Sequence, residues 1–262
     1  MIEAKPHVNI FRKLGTHSAK VTVSISLYNY ADYIIETLDS VSNQTLELID
    51  LIIVDDCSQD NSLNVTKSWL ENNSLRFNHI LFVKHQENQG LAFSRNTAIT
   101  LSTTPYIFIL DADNLLYPRC LIRCLETIEN SDSEISMVYP IIEKFDGEIG
   151  IMDNQIWDRD ILANGNYIDA MSLIRKTSLE AVLGYYPIKY GWEDYDLWCK
   201  FVEYNFSGVL VPEILARYRV HKQSMLRTET NQKINLVIKE MKKRHNWLKI
   251  KEFNVIEQIL LN

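Results

Sequence analysis

The run Ile107-Phe108-Ile109-Leu110, which ends in Asp111-Ala112-Asp113, limits the fold most narrowly. Consecutive apolar residues after Pro105 read as a strand buried on both faces, the pattern of a central strand in a mostly parallel sheet. In such sheets, ligands collect outside the carboxyl ends of the strands. The two acids therefore fall where a ligand would sit. Residues two apart on an extended segment point to one side. Two hard oxygen ligands there suit Mg²⁺ or Mn²⁺ held jointly with substrate phosphates. An aspartate at a strand end can equally cap a following helix, so the pair alone leaves both readings open.

Three strand–helix units precede this run. Val21 to Leu27, Leu48 to Val54 and Ile80 to Val83 read as strands, and Tyr30 to Val41, Asn61 to Leu70 and Gln89 to Leu101 as helices. Tyr33, Ile34, Leu38 and Val41 share one face of the first helix. The alternation predicts an α/β fold with a Rossmann-like, mostly parallel central sheet flanked by helices and joined by right-handed crossovers. After Asp113 the rhythm changes. Pro118 to Glu129 reads as a helix, Ser136 to Pro140 as a strand, 144–165 as a long loop, 177–183 and 193–205 as helices, and Gly208 to Val211 as a late strand. Residues 1–20 read as a tail or edge segment. We expect one domain over 21–227, with a nucleotide-binding half (21–113) and an acceptor half (114–227), and a C-terminal helical extension over 228–262.

Composition removes several function classes. A net charge of −7 argues against nucleic-acid binding. No apolar run approaches the ~18 residues of a membrane span. Met1-Ile2-Glu3-Ala4-Lys5-Pro6 lacks the pattern of a signal peptide, and four cysteines without zinc spacing fit a reducing compartment, so a cytoplasmic protein is expected. Neither a Gly-x-Gly-x-x-Gly nor a phosphate-loop motif occurs among eight glycines. A pyrophosphate would thus be held by a cation at Asp111 and Asp113 rather than by a glycine-rich cradle.

Three further clusters carry chemistry. In Asp55-Asp56-Cys57-Ser58-Gln59-Asp60, at the end of the second strand, Asp55 or Asp56 can accept hydrogen bonds from a base or a ribose, while Asp60 suits a helix cap. Glu193 and Asp194 open a helix whose apolar face holds Leu197, Trp198 and Phe201; they are either a charged first turn or a general base presented to an acceptor hydroxyl beside Trp192. His221, in Arg217-Tyr218-Arg219-Val220-His221, is either structural or a metal or diphosphate contact.

Together these segments resemble glycosyltransferase family 2, with its GT-A fold, over about residues 20–226. Val21-Thr22-Val23-Ser24-Ile25-Ser26-Leu27-Tyr28-Asn29 is similar to the family's opening strand and turn, and Ser40-Val41-Ser42-Asn43-Gln44-Thr45 to its Ser-x-x-x-Gln-Thr segment. Asp55 to Asp60 resembles the Asp-Asp-x-Ser-x-Asp signature, and Asn88-Gln89-Gly90 with Ser94-Arg95-Asn96 the Asn-x-Gly and Ala-Arg-Asn block. Asp111-Ala112-Asp113, Glu193-Asp194 and Tyr218-Arg219-Val220-His221 resemble the Asp-x-Asp, Glu-Asp and Tyr-Arg-x-His elements. Leu27 stands where Thr or Ser is common, and Ser94 where Ala is usual.

The resemblance implies roles. Asp56 would contact the nucleotide base with Ser26 or Leu27 and Asp32 nearby, and Asp111 the ribose or metal shell. Asp113 would bind Mn²⁺ or Mg²⁺ with His221 beside it, and Asp194 would be the base. The expected reaction inverts the sugar of a nucleoside-diphosphate sugar, UDP-linked by the family's habit, as it moves to a saccharide or lipid-linked acceptor in surface polysaccharide synthesis. A nucleotidyltransferase would need a basic, glycine-rich loop where Tyr28-Asn29-Tyr30-Ala31-Asp32 stands. A catalytically inactive nucleotide-binding or scaffold protein is the remaining alternative. The basic stretch 233–251 (Lys233, Lys239, Lys242, Lys243, Arg244, Lys249, Lys251) is a solvated face or a peripheral contact with anionic membrane.

Overall fold

The computed structural model describes residues 2–152, 155–222, 224 and 226–254. Among the described residues ten strands are β1 (His7–Lys13), β2 (Val21–Leu27), β3 (Ile49–Asp55), β4 (Ile80–His85), β5 (Tyr106–Asp111), β6 (Leu115–Leu116), β7 (Ile135–Asp146), β8 (Gly150–Ile151), β9 (Leu173–Arg175) and β10 (Ser207–Val220). They form one sheet in the order β1-β4-β3-β2-β5-β9-β7-β10-β6, with β8 on β7. The helices are α1 (Ile34–Ser42), α2 (Ser62–Asn73), α3 (Leu91–Leu101), α4 (Cys120–Glu129), α5 (Arg159–Leu162), α6 (Lys176–Ala181), α7 (Glu193–Glu203) and α8 (Ile234–Arg244).

The parallel core is β4-β3-β2-β5. Every residue of β3, and all but the last of β5, is buried, as strands covered on both faces require. The chain places β3 on one side of β2 and β5 on the other, so a topological switch opens a crevice at their carboxyl ends. Register puts Ser26 opposite Asp111 and Leu27 opposite Asp55 at that crevice.

The second half departs from the expected layout. β9 joins β5 to β7 by antiparallel pairing, and β10 runs parallel to β7 and antiparallel to β6. The strand expected over Gly208–Val211 continues to Val220, because bulges absorb Pro212 and Glu213 without ending the pairing. β7 likewise continues to Asp146, so the expected loop begins later and carries β8 and α5. At the other edge, His7–Lys13 pairs antiparallel with β4.

The chain's second core cluster packs α7 and α8 together through Trp198, Phe201, Val237, Ile238 and Met241. A buried network fixes this contact: Asp196 accepts from Arg244 Nε at 2.6 Å and His245 Nε2 at 2.9 Å, and Glu203 accepts from His245 Nδ1 at 2.8 Å. Lys233, just before α8, and Lys239, Lys242 and Lys243 on it are exposed. Residues 255–262 of the expected extension lie outside the described residues. Among the described residues, no helix is long and apolar enough to cross a membrane.

Burial favours a neutral His245 and a neutral Asp196, but their mutual hydrogen bonds outweigh it, raising the histidine and lowering the aspartate. The histidine's contribution is therefore complete below about pH 6.5 and fades as pH rises through its raised value; the aspartate's is present above about pH 3.9 and fades as pH falls through its lowered value. Asp196→Ala strips the fully buried carboxylate from Arg244 and His245 and should cost about 3–5 kcal/mol in urea denaturation. The stability advantage of wild type over His245→Gln should shrink between pH 6 and pH 9.

Candidate active site

Two loops at the ends of β2 and β3 are latched to each other. Ser58 Oγ accepts from Asn29 N at 3.0 Å, Asp60 Oδ2 from Ala31 N at 3.0 Å, and Ser62 Oγ from Tyr30 N at 2.9 Å. Asn29 Oδ1 returns the contact to Gln59 N at 2.7 Å. Asp60 also accepts from Ser62 N at 2.9 Å, at the start of α2, and these bonds outweigh burial to lower its pKa. Much of the Asp-Asp-x-Ser-x-Asp segment thus rigidifies the crevice rim.

This geometry bears on three sequence expectations. Asp55 is fully buried, accepts from Ser58 N at 3.1 Å, and is pushed up by burial; it faces the loop and no open surface. Asp56 was expected at the nucleotide base, yet both its oxygens are engaged internally. Oδ1 accepts from His85 Nδ1 at 2.6 Å and Gln89 N at 2.9 Å, and Oδ2 from Gly90 N at 2.7 Å. The Leu27 side chain lies in the core, because the pleat turns it away from half-exposed Ser26; only its carbonyl acts, accepting from Asp56 N at 2.8 Å. Asp32 is exposed on the rim.

The turn after β5 is held from three sides. Thr37 Oγ1 donates to Ala112 O at 2.9 Å, Arg219 Nε to Asp113 O at 2.9 Å, and Arg219 N to Asn114 Oδ1 at 2.9 Å. Arg219 is itself fixed by Glu36 and Asp146 and lies over the rings of Tyr33 and Phe145. Two residues on, His221 Nε2 meets Asp113 Oδ2 at 2.9 Å. Its ring packs on Tyr33 at 4.9 Å and against Tyr30 at 5.9 Å, and Nδ1 is buried with no hydrogen-bond partner among the described residues. Burial pushes Asp113 up, against the pull of His221.

Asp111 does not join that pair. Its Oδ1 accepts from Arg95 Nη2 at 2.8 Å, while Arg95 Nη1 donates to Glu193 Oε1 at 2.7 Å. Glu193, expected at the acceptor, is therefore turned inward by a buried guanidinium, although it lines a cavity of about 280 Å³ with Gly90, Pro187 and Tyr190. Among the described residues, no three His, Cys, Asp or Glu side chains converge as a ready ligand set for one ion.

Asp194 opens α7 beside Glu193. Tyr190, Gly191 and Trp192 approach it with positive φ, and half-buried Trp192 stands edge-on to Tyr195 at 5.5 Å. Such backbone is uncommon outside glycine and recurs at functional sites. Asn166 Nδ2 donates to Asp194 Oδ2 at 3.1 Å. Burial first and Glu193 second push Asp194 up to about 7. Nearby Asp169, its Oδ1 accepting from Met171 N at 2.9 Å, is pushed to about 7 by burial and by Asp111. Sequence reasoning left Arg95 without a role and missed Asn166, Asp169 and Arg219. Arg95 had a signal, since a charge on the same helix stripe as Ala92 and Ile99 must find a buried partner.

The family model of glycosyl transferase family 2 matches residues 22–183. The chain belongs to glycosyltransferase family 2. It is a glycosyltransferase, and EpsE of Bacillus subtilis (strain 168) is 28% identical over 212 residues, which are 78% of this chain and 74% of that one. Its GT-A fold matches Staphylococcus aureus TarS 1–349, solved with UDP-GlcNAc, at a TM-score of 0.70 and 16% identity over 86% of this chain. It also matches the mannosyltransferase PcManGT of Pyrobaculum calidifontis, solved with GDP-Man and Mn²⁺, at 0.67 and 20% over 87%. The glycosyltransferase spans just under two thirds of those two chains, 66% and 65%.

Because Asp56 pins the turn between β4 and α3, Asp56→Ala should lose about 2–4 kcal/mol of stability, read as a lower urea midpoint at unchanged slope. A residue that only contacted ligand would leave that midpoint where it is.

Proposed function

We propose that this glycosyltransferase moves a sugar from a nucleoside-diphosphate sugar, UDP-linked first among candidates, to a hydroxyl of a saccharide or lipid-linked acceptor, with inversion at the anomeric carbon. The observation that carries the reading is Asp194. It is a carboxylate lifted to about 7 and held by Asn166, and Tyr218 stands in its field as well as in that of Asp111 and Asp113. A base poised near neutrality can take a hydroxyl proton in the transition state.

Asp113 and His221 fit a divalent cation. An oxygen and a nitrogen 2.9 Å apart match the separation of about 3 Å between adjacent ligands of an octahedral ion. The imidazole favours Mn²⁺ over Mg²⁺. Such an ion would neutralise charge developing on the departing diphosphate. Two protein ligands leave room for donor phosphates and water, consistent with the absence of a three-residue cluster among the described residues.

The chain's own residues do the rest. Ser26 and Asp111, opposite each other at the switch point, line the crevice for the nucleoside. Trp192 offers an apolar face to an acceptor ring. As Asp194 takes the acceptor's proton, the acceptor oxygen bonds to the anomeric carbon. The bond from that carbon to the diphosphate oxygen breaks, and the nucleoside diphosphate leaves with the electron pair. A single displacement needs no protein nucleophile.

Turnover should fall with pH below about 7, where Asp194 gains its proton. Asp194→Asn should reduce kcat by 10²-fold or more, by about the reach of general-base catalysis, while donor affinity changes little. Undiminished turnover in that variant would refute the base assignment.

A further inference from the structure

Arg95 is buried to within 2% and shared between two acids from distant parts of the chain. Asp111 ends β5; Glu193 begins α7, next to Asp194. The guanidinium cannot drift. Its plane lies over Tyr185 at 5.1 Å, and Tyr185 is pinned by the residue after Arg95, with Asn96 Oδ1 accepting from Tyr185 N and Asn96 Nδ2 donating to Tyr185 O, both at 2.8 Å. Burial works against the charge, yet Asp111 and Glu193 outweigh it and hold the guanidinium protonated.

We infer that Arg95 and Glu193 are positioning residues for Asp194, one guanidinium fixing both the place and the protonation of the carboxylate that opens α7. The inference rests on reading Asp194 as the base. Glu193 cannot leave Arg95 without losing the charged partner of its own buried carboxylate and leaving the guanidinium with Asp111 alone. The first turn of α7 is therefore anchored to the strand end that carries Asp111. The two partners act on Asp194 in opposite directions, the carboxylate repelling a second negative charge and the guanidinium attracting it.

The other groups in the field of Asp194 are Asp169, which raises it, and Tyr185, Tyr218 and Cys199, whose own ionisation it opposes. Asn166 contributes a neutral hydrogen bond.

The test is a titration of the metal-free, full-length protein carrying ¹³C at its aspartate carboxyl carbons, with Asp194→Asn used to assign the Asp194 resonance. Wild type should titrate near 7. Glu193→Gln keeps the shape and the hydrogen bond to Arg95 but removes the charge, and should lower the midpoint by about one pH unit or more. Arg95→Met should raise it, and Arg95→Lys should stay closer to wild type. Should Arg95→Met fail to fold, Glu193→Gln decides alone. An unmoved midpoint in Glu193→Gln, or shifts of the same sign in both variants, overturns the inference. The titration is read without substrate. Retained turnover in Asp194→Asn would thus overturn the base reading while leaving the titration result intact, and an unmoved midpoint would leave the base reading intact.

Discussion

A positive charge taken out of water must be neutralised where it stands, and Arg95 imposes that condition on the whole cleft. Its two acidic partners lie 16 and 98 residues away in sequence, at the end of β5 and the start of α7. Satisfying both ties the end of β5 to the start of α7. The sheet supplies the platform, but it is this buried pairing that brings a strand-end carboxylate and a helix-start carboxylate into one electrostatic neighbourhood. Tyr185 and Asn96 hold the guanidinium in place, so the arrangement is built before any ligand arrives.

The same economy governs the rest of the site. Residues whose chemistry suits ligand binding are repeatedly spent on rigidity. Ser58 and Asp60 latch the loop after β2, Asp56 clamps the turn before α3, and Arg219 grips the backbone of Asp113 while its neighbour two residues on supplies His221. The proposed reaction draws on Ser26, Asp111, the Asp113–His221 pair, Trp192 and Asp194, which these contacts hold in place. A preorganised cleft loses little freedom when the donor binds, which favours orientation of the reacting atoms.

How much of this was legible in the sequence follows from burial. β2, β3, β4 and β5 could be read because strands covered on both faces leave nearly continuous apolar runs. β1 could not be drawn as a strand, since it is an edge with half-exposed positions and its pattern is diluted. The length of β10 was hidden by Pro212 and Glu213, which look like a terminus but sit in bulges. The carboxylates at strand and helix ends stood out by position. Arg95 and Asp169 did not, because their meaning lies in partners remote in sequence, and no local periodicity reports a long-range ion pair. The direction in which Asp56 and Glu193 face was equally illegible, for the motif names the residue but not the side on which its hydrogen bonds are found.

The proposed reaction requires that the crevice between β2 and β5 take a nucleoside diphosphate together with a divalent cation at Asp113 and His221. Calorimetric titration of UDP, GDP, dTDP and CDP into the protein, each with Mn²⁺ and again with chelator, tests this most directly. One of the four should bind in the presence of Mn²⁺, and chelator or Asp113→Asn should abolish the heat. Binding indifferent to the metal, or no binding of any of the four, would contradict it.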